Sequence, residues 1–177
     1  MNTEELRQYL KPSIALIIVG AVLAALGLVF GIAGHVVVAL IIFLAIGGFL
    51  LFLGVKEQTD FKWMMEEYAR QGALEEIAAD FADSQTWGRG TLRTGEKYCY
   101  NKGAGRVYPY ADIRNVHQYV HKTNGVEDQR QLRAVMADGK TVALCTLKLR
   151  GRSDDELHQL IMLLLTRNPS ITVGYRR

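Results

Sequence analysis

The side chains of this chain that could do chemistry are a close pair of histidines, two cysteines and scattered carboxylates. His117 and His121 lie four residues apart, a spacing that would place two zinc ligands on one face of a helix. The residues around them, Val116 and 118–120, are instead typical of a strand. On a strand the two histidines lie about 13 Å apart, which is too far for one metal ion. We therefore predict no metal site.

The remaining candidate groups form no recognisable catalytic pattern. Cys99 and Cys145 fit a reducing compartment, although a disulfide between them stays open. Asp112 and Cys145 could be partners for a nucleophile, but nothing in the sequence brings the two together. The glycine pairs in 88–90 and 103–105 lack the rest of a dinucleotide fingerprint and are typical of turns. Because GxSxG, HExxH, Walker and paired CxxC motifs are also missing, we predict no catalytic residues, no cofactor and no enzyme.

The elements that would position these groups begin with one long apolar block. No Asp, Glu, Lys or Arg occurs in the 44 residues between Lys11 and Lys56. One membrane-spanning helix needs only about 20 apolar residues, so the block predicts two spans, at 13–33 and 35–55. His35, in the turn between them, could act as an intramembrane proton relay. Its turn position favours an interfacial side chain instead.

Small residues recur on one face of each apolar helix. Their spacing predicts close packing within an antiparallel hairpin, and the GxxxG match at 27–31 also allows homodimerisation. The residues predicted at the helix contact are Gly20, Ala24, Gly27 and Gly31 on the first helix, with Gly47 and Gly48 on the second.

The flanks of the apolar block carry the charges that set its orientation. The predicted loop has no Lys or Arg, whereas Arg7, Lys11, Lys56, Lys62 and Arg70 flank the block. The positive-inside rule therefore predicts that both termini lie in the cytoplasm. We expect a multi-pass protein of the cell (inner, cytoplasmic) membrane, with membrane lipids as partners.

Residues 56–83 form an acidic connector, with eight acidic and three basic side chains. Apolar residues at helical spacing, such as Phe61, Met64 and Met65, predict two amphipathic helices joined at 71–72. The carboxylates could suggest a divalent cation, but their helical spacing favours a solvated face. We expect the apolar stripe to pack on the following domain or on a second subunit.

Residues 84–177 show the alternation typical of strands. A turn signal at Asp138-Gly139 and similar signals separate six predicted strands. A capping box of Ser153 and Glu156 opens a final helix, which ends before Pro169. The predicted strands are 86–93, 97–101, 107–110, 113–122, 129–136 and 141–148.

This order of strands and one closing helix resembles the pleckstrin-homology-like (PH-like) superfold. That superfold has seven strands, whereas six are predicted here. An incomplete sheet is therefore the alternative. The segments that carry the resemblance are 110–113, 126–130, 138–140 and 168–171. The whole layout is similar to that of uncharacterised small bacterial membrane proteins that pair two spans with such a domain. The resemblance implies an α+β membrane protein, with segments 1–12, 13–55 (hairpin), 56–83 (connector) and 84–177 (small antiparallel barrel or sheet capped by a helix). It implies no single function, because this superfold hosts lipid binders, peptide binders and scaffolds.

Charge is divided unevenly along the chain. Residues 84–177 carry sixteen basic and eight acidic side chains, whereas residues 1–83 carry five basic and ten acidic ones. A basic domain tethered to an anionic leaflet is attracted to it. The predicted ligand patch comprises Arg89, Arg93, Lys97, Lys102 and Arg106 around the first hairpin, with Lys148, Arg150 and Arg152 before the final helix. The alternative is a surface that faces solvent or the acidic connector.

We expect a membrane-anchored interaction module that binds a protein partner, a sister subunit or acidic lipid headgroups. The alternative is an enzyme or accessory subunit acting on a membrane substrate, which a pocket gathering Asp112, His117 and Cys145 would favour. The alternating tyrosines at 98, 100, 108 and 110 could stack on RNA bases. We do not favour nucleic acid, because alternation also fills a core and the domain is tethered to a membrane.

Overall fold

The computed structural model describes residues 3–33, 37–147 and 153–174. The described residues form five α-helices and two sheets rich in antiparallel pairs, which confirms the α+β class. The helices are α1 (Thr3–Leu10), α2 (Ala15–Ala33), α3 (Val37–Arg70), α4 (Leu74–Ala82) and α5 (Ser153–Arg167). The strands are β1 (Gln85–Trp87), β2 (Leu92–Thr94), β3 (Tyr98–Asn101), β4 (Arg106–Pro109), β5 (Ile113–Thr123), β6 (Val126–Met136), β7 (Thr141–Leu147) and β8 (Thr172–Val173).

The chain divides into two compact units. One unit is the continuous segment 11–71, and the other joins 1–10 to 72–177. The boundary at residue 72 divides the predicted connector 56–83 between the two units. The predicted N-terminal segment 1–12 contributes a helix to the unit that holds all the strands.

In the unit 11–71, α2 and α3 pack side by side in antiparallel directions. The two ends of the contact are marked by Gly54, which lies against Ile17, and by Gly27, which lies against Phe43. Among the described residues, one helix, over Leu40–Arg70, is long and apolar enough to cross a membrane. The predicted turn with His35 lies outside the described residues.

Helix α3 does not end with the apolar block. It continues to Arg70, and at 1.5 Å per residue its 34 residues span about 51 Å. The sequence explains this length, because no Gly or Pro occurs between Gly54 and Gly72 to end the helix. Gly72 adopts a φ of 71°, a left-handed conformation that suits glycine, and the chain turns there into α4.

The first sheet has the strand order β1-β2-β3-β4, with all neighbours antiparallel. The predicted strand 86–93 is wrong as one element, because the segment forms two strands separated by a turn. Gly88, Arg89 and Gly90 have φ values of 54°, 58° and 81°, which no strand accommodates. The described chain therefore has seven strands before α5 instead of six.

The second sheet has the order β7-β6-β5-β8, and β8 runs parallel to β5. Strands β5 and β6 form a long hairpin joined by Asn124 and Gly125, with φ values of 53° and 79°. Positive φ at both positions is the requirement of the tight type I′ turn, and Asn-Gly is its preferred sequence. Strand β6 consequently begins at Val126, three residues before the predicted start.

Two apolar layers lie on opposite faces of the first sheet. Cys99 belongs to the main core, which is formed by side chains of both sheets and of α5 and also includes Ile113 and Leu160. Its neighbour Tyr100 points the other way and contacts Phe81 of α4, with ring centroids 5.1 Å apart. The side chains that form this second layer are Leu6 and Leu10 of α1, Ile77, Ala78 and Phe81 of α4, and Tyr100.

Candidate interaction surface

Arg93, in the predicted ligand patch, lies beneath the helices α1 and α4. Its guanidinium carbon is 4.3 Å from the centroid of the Phe81 ring and 5.9 Å from that of the Tyr9 ring. Its Nη2 donates to the carbonyl oxygen of Ser84 at 3.1 Å. An arginine over aromatic faces is held by cation–π attraction and by packing of its stem. Arg93 thus joins β2 to the covering helices within the domain.

Lys97 is also engaged within the domain. Its Nζ donates to Glu76 Oε1 of α4 at 2.7 Å, and this hydrogen bond raises the pKa of the lysine. Both side chains remain largely exposed to water, so the pair contributes little to stability. The pair shows, however, that the acidic face of α4 lies against the basic hairpin of β2 and β3.

Asp80 of α4 holds the turn between β2 and β3. Its Oδ1 accepts the backbone N–H groups of Glu96 and Lys97 at 2.8 Å and 3.0 Å, and its Oδ2 accepts the Tyr100 hydroxyl at 2.8 Å. Burial and this hydrogen bond raise the pKa of Tyr100. A carboxylate with three donors is a strong local clamp. The apolar stripe and the acidic edge of α4 therefore both face the strand domain.

Helix α1 completes the cover. The Tyr9 hydroxyl donates to the carbonyl oxygen of Gly90 at 3.0 Å, and burial raises the pKa of Tyr9 to about 12. Sequence reasoning missed this helix, although Leu6, Tyr9 and Leu10 have the i, i+3, i+4 spacing of a buried helix face. An eight-residue helix is marginal alone, so docking must stabilise it.

The rest of the predicted patch is exposed or outside the described residues. Arg89 and Lys102 are exposed on two turns at the same end of the first sheet, and Arg106 is exposed beside them at the start of β4. These turns adjoin, because the Lys102 N–H donates to the Thr91 carbonyl oxygen at 2.9 Å. The Lys102 Nζ also lies 5.7 Å from the centroid of the Tyr9 ring of α1. Lys148, Arg150 and Arg152 lie outside the described residues.

The charge of the folded domain differs from that of its sequence segment. Residues 84–177 alone have a surplus of eight basic side chains. The compact unit 1–10 with 72–177 carries seventeen basic and fourteen acidic side chains, because α1 and α4 add acidic residues. The domain is therefore only mildly basic, and much of its first hairpin faces its own acidic helix.

Most of the predicted packing residues of the hairpin lie where α2 and α3 meet. A side chain at Gly20 would meet the Leu51 backbone nitrogen at 2.7 Å, and one at Gly47 would meet that of Ala24 at 2.7 Å. A side chain at Gly27 would meet the Phe43 Cβ, also at 2.7 Å. These residues lie at the α2–α3 contact.

Two other predicted glycines differ, and one contact glycine was missed. Gly48 has no atom within 4 Å of the place where a Cβ would stand, and the surroundings of Gly31 lie outside the description. Gly54, which sequence reasoning missed, would meet Ile17 Cγ1 at 2.7 Å. Its spacing of seven residues from Gly47, two helical turns on the same face, was the available signal.

The candidate chemical groups are not assembled into one site. Cys99 and Cys145 are both reduced and buried, and burial raises the pKa of each thiol to about 12. A cavity of about 390 Å³ beside Cys145 is lined by residues of the β3–β4 turn and β7, and by neither Asp112 nor His117. Within the described part of the chain, no group of three His, Cys, Asp or Glu side chains could hold a metal ion.

The two histidines and the tyrosines have separate local environments. Burial lowers the pKa of His117, whose Nδ1 lies 3.3 Å from Asn115 Oδ1. His121, exposed near the β5–β6 turn, lies with Nδ1 2.6 Å from Asp128 Oδ1. Tyr100 and Tyr110 are buried, so the four alternating tyrosines do not form one exposed stacking surface.

No family model, curated protein or solved structure matches this chain.

Proposed function

We propose that the chain is a multi-pass membrane protein in which α2 and α3 form a two-span hairpin, and the domain built from both chain ends is a cytoplasmic interaction module. The observation that carries the proposal is that two separate segments of the chain form this one domain. Segment 11–71 leaves and re-enters the same compact unit. If this segment crosses a membrane, its two ends must therefore lie on one side, which two spans satisfy and one span does not.

The surface of α2 and α3 supports a lipid environment. Large apolar side chains along both helices are more than half exposed, for example Ile18, Val29, Ile41 and Phe52. Water-soluble monomers rarely expose continuous apolar patches of this extent. The helices meet through glycines, which is typical of helix contacts in membranes. The basic flanks and the loop without Lys or Arg favour a cytoplasmic domain.

The domain supports the PH-like resemblance in its order of elements. It has seven strands before its long closing helix, the number of strands of that superfold. The strands divide into a meander of β1 to β4 and a second meander of β5 to β7. We propose a PH-like domain on this basis. A cysteine nucleophile is not supported, since both thiols are buried with raised pKa values.

The proposed function is tested by extracting membranes from cells that express the full chain. We expect the chain to stay in the membrane pellet after an alkaline wash. The double substitution Val22→Lys and Ile46→Lys should release it, because each charge near the middle of a span costs about 2.5–3.5 kcal/mol on insertion scales. Val126→Lys, at an exposed apolar residue where β6 begins, should release nothing. A wild-type chain in the soluble fraction would overturn the proposal.

Acidic lipid is a second candidate ligand, favoured by the exposed turns that carry Arg89, Lys102 and Arg106. The full chain would be placed in bilayer discs of neutral or of partly anionic lipid and its amide hydrogen exchange compared. Lipid contact predicts slower exchange at 88–90 and 102–106 in anionic discs only, with 124–125 as the control turn. Equal exchange in both discs at 88–90 and 102–106 would leave protein partners, including a sister subunit, as the proposed ligands.

A further inference from the structure

We infer that Trp63 anchors α3 in the headgroup layer of the leaflet that faces the domain. The inference rests on the proposed membrane topology. Trp63 exposes 65% of its surface, whereas Trp87, the other tryptophan of the chain, is 6% exposed in the domain core. An indole this exposed packs little against its own unit, and an indole with one apolar side and one polar N–H is typical of a site at an interface.

The face of α3 that carries Trp63 continues the apolar surface of the span. At 100° per residue, Phe52 lies within about 20° and Phe49 within about 40° of Trp63 around the helix axis. Both phenylalanines are strongly exposed, at 64% and 60%. Gly47 and Gly54, which contact α2, lie about 160° and 180° away. Trp63 therefore lies on the side of α3 that is turned from α2, in line with the side chains that would meet lipid.

The height of Trp63 along α3 brings its indole to the outer edge of the headgroup layer. The uncharged stretch ends at Val55, eight residues earlier, so the Trp63 Cα lies about 12 Å beyond it. Side chains of a helix lean toward its N-terminus, which brings the indole back toward the apolar stretch. Headgroup regions add roughly 5–8 Å on each side of the hydrocarbon core. Tryptophan is enriched at this boundary because its ring is apolar and its N–H is a donor.

One cation on the same face favours lipid. Lys56 lies seven residues before Trp63, close to the same direction around the axis, and is exposed. Beside anionic headgroups, Lys56 is attracted to the phosphate layer. Arg70, seven residues after Trp63, is instead paired with Glu67 on this side of the helix.

The test is depth-resolved fluorescence quenching of the full chain in vesicles whose lipids carry bromine either near the headgroup or deep in the acyl chain. We expect the shallow label to quench the wild-type protein more than the deep label. Trp63→Phe should lose this quenching, because Trp87 is buried in the domain. Trp63→Phe is a matched control, because it keeps an aromatic ring at an exposed position and should leave the fold unchanged.

Two results would overturn the inference, and they are separable from failure of the topology. Equal fluorescence with and without either label, in a chain that resists alkaline extraction, would place Trp63 in water and leave the topology standing. Stronger quenching by the deep label would place it inside the hydrocarbon. If the chain is released by alkaline extraction, the proposed membrane function fails first, and the inference fails with it.

Discussion

The α2–α3 hairpin and the α1–α4 cover of the first sheet use opposite rules of packing. In the hairpin, glycines form the contact and large side chains such as Phe49 and Phe52 point outward. In the cover, Leu6 and Phe81 are buried and the acidic side chains lie at the edge. In water, apolar burial drives large residues inward, whereas in lipid the contact depends on how closely two backbones approach. The difference supports the proposal that the two helix pairs are built for different solvents.

The cover gives the largest expected effect. Leu6→Ala removes a fully buried side chain from α1, and we expect a loss of about 2–5 kcal/mol in the free energy of unfolding of the domain. Gln8→Ala, on the exposed side of the same helix, should change stability by less than about 0.5 kcal/mol. Denaturant melts of the full chain measure both. Equal effects of the two variants would mean that α1 does not dock.

The hairpin is expected to fail in the reverse way, by addition of a side chain. Gly20→Leu would press a Cβ against the backbone atoms of Leu51 and Gly47, which cannot yield as a flexible side chain can. Overpacking of this kind costs about 1–3 kcal/mol. Gly48→Leu meets open space and should be tolerated within about 0.5 kcal/mol. Thermal stability of the detergent-purified variants distinguishes these outcomes, and a destabilised Gly48→Leu would contradict the packing.

A smaller effect is expected at the polar edge of the cover. Asp80→Asn keeps the shape but loses the charge that three donors share, and we expect a loss of about 1–2 kcal/mol. Glu75→Gln removes a charge from an exposed position of the same helix and serves as the control. If the two substitutions lower the melting temperature equally, general charge, and not the clamp on the β2–β3 turn, explains the result.

The fourth prediction concerns the stability of the domain at high pH, and no change is expected at neutral pH. The pKa of Cys99, Cys145 and Tyr9 is raised to about 12, from 9.0 for a thiol and 10.0 for a phenol. The folded state therefore holds these protons longer than the unfolded state, and its stability is full below pH 9 and falls as the pH rises toward 12. Unfolding free energies across this range measure the fall. A thiol reagent that modified both cysteines rapidly in the native protein would contradict their burial.

The sequence predicted those features that depend on local pattern. The uncharged run to Val55 indicated an apolar hairpin, and the spacing of Gly20, Ala24 and Gly27 indicated its inner face. The capping box at Ser153 likewise marked the start of the closing helix, α5. In each case neighbouring residues alone determine the signal.

The features that sequence reasoning missed depend on contacts between distant residues. Helix α1 is short enough that only docking on residues more than 70 positions away stabilises it. Arg93 and Lys97 read as a basic patch, because their partners Phe81 and Glu76 meet them only after α4 folds back. The break at Gly88–Gly90 was marked by its glycines, but the apolar alternation on either side concealed it.

In the proposed topology, residues 1–10 and 72–177 build one domain and the apolar segment between them crosses the membrane twice. This topology is tested most directly by labelling three variants that each carry one added cysteine, Gln8→Cys, His35→Cys and Lys140→Cys, with a membrane-impermeant maleimide. The buried native cysteines should add little background. We predict that His35→Cys reacts in intact cells, and that Gln8→Cys and Lys140→Cys react only after permeabilisation. Labelling of only one of Gln8→Cys and Lys140→Cys from outside, or identical behaviour of all three, would contradict the account.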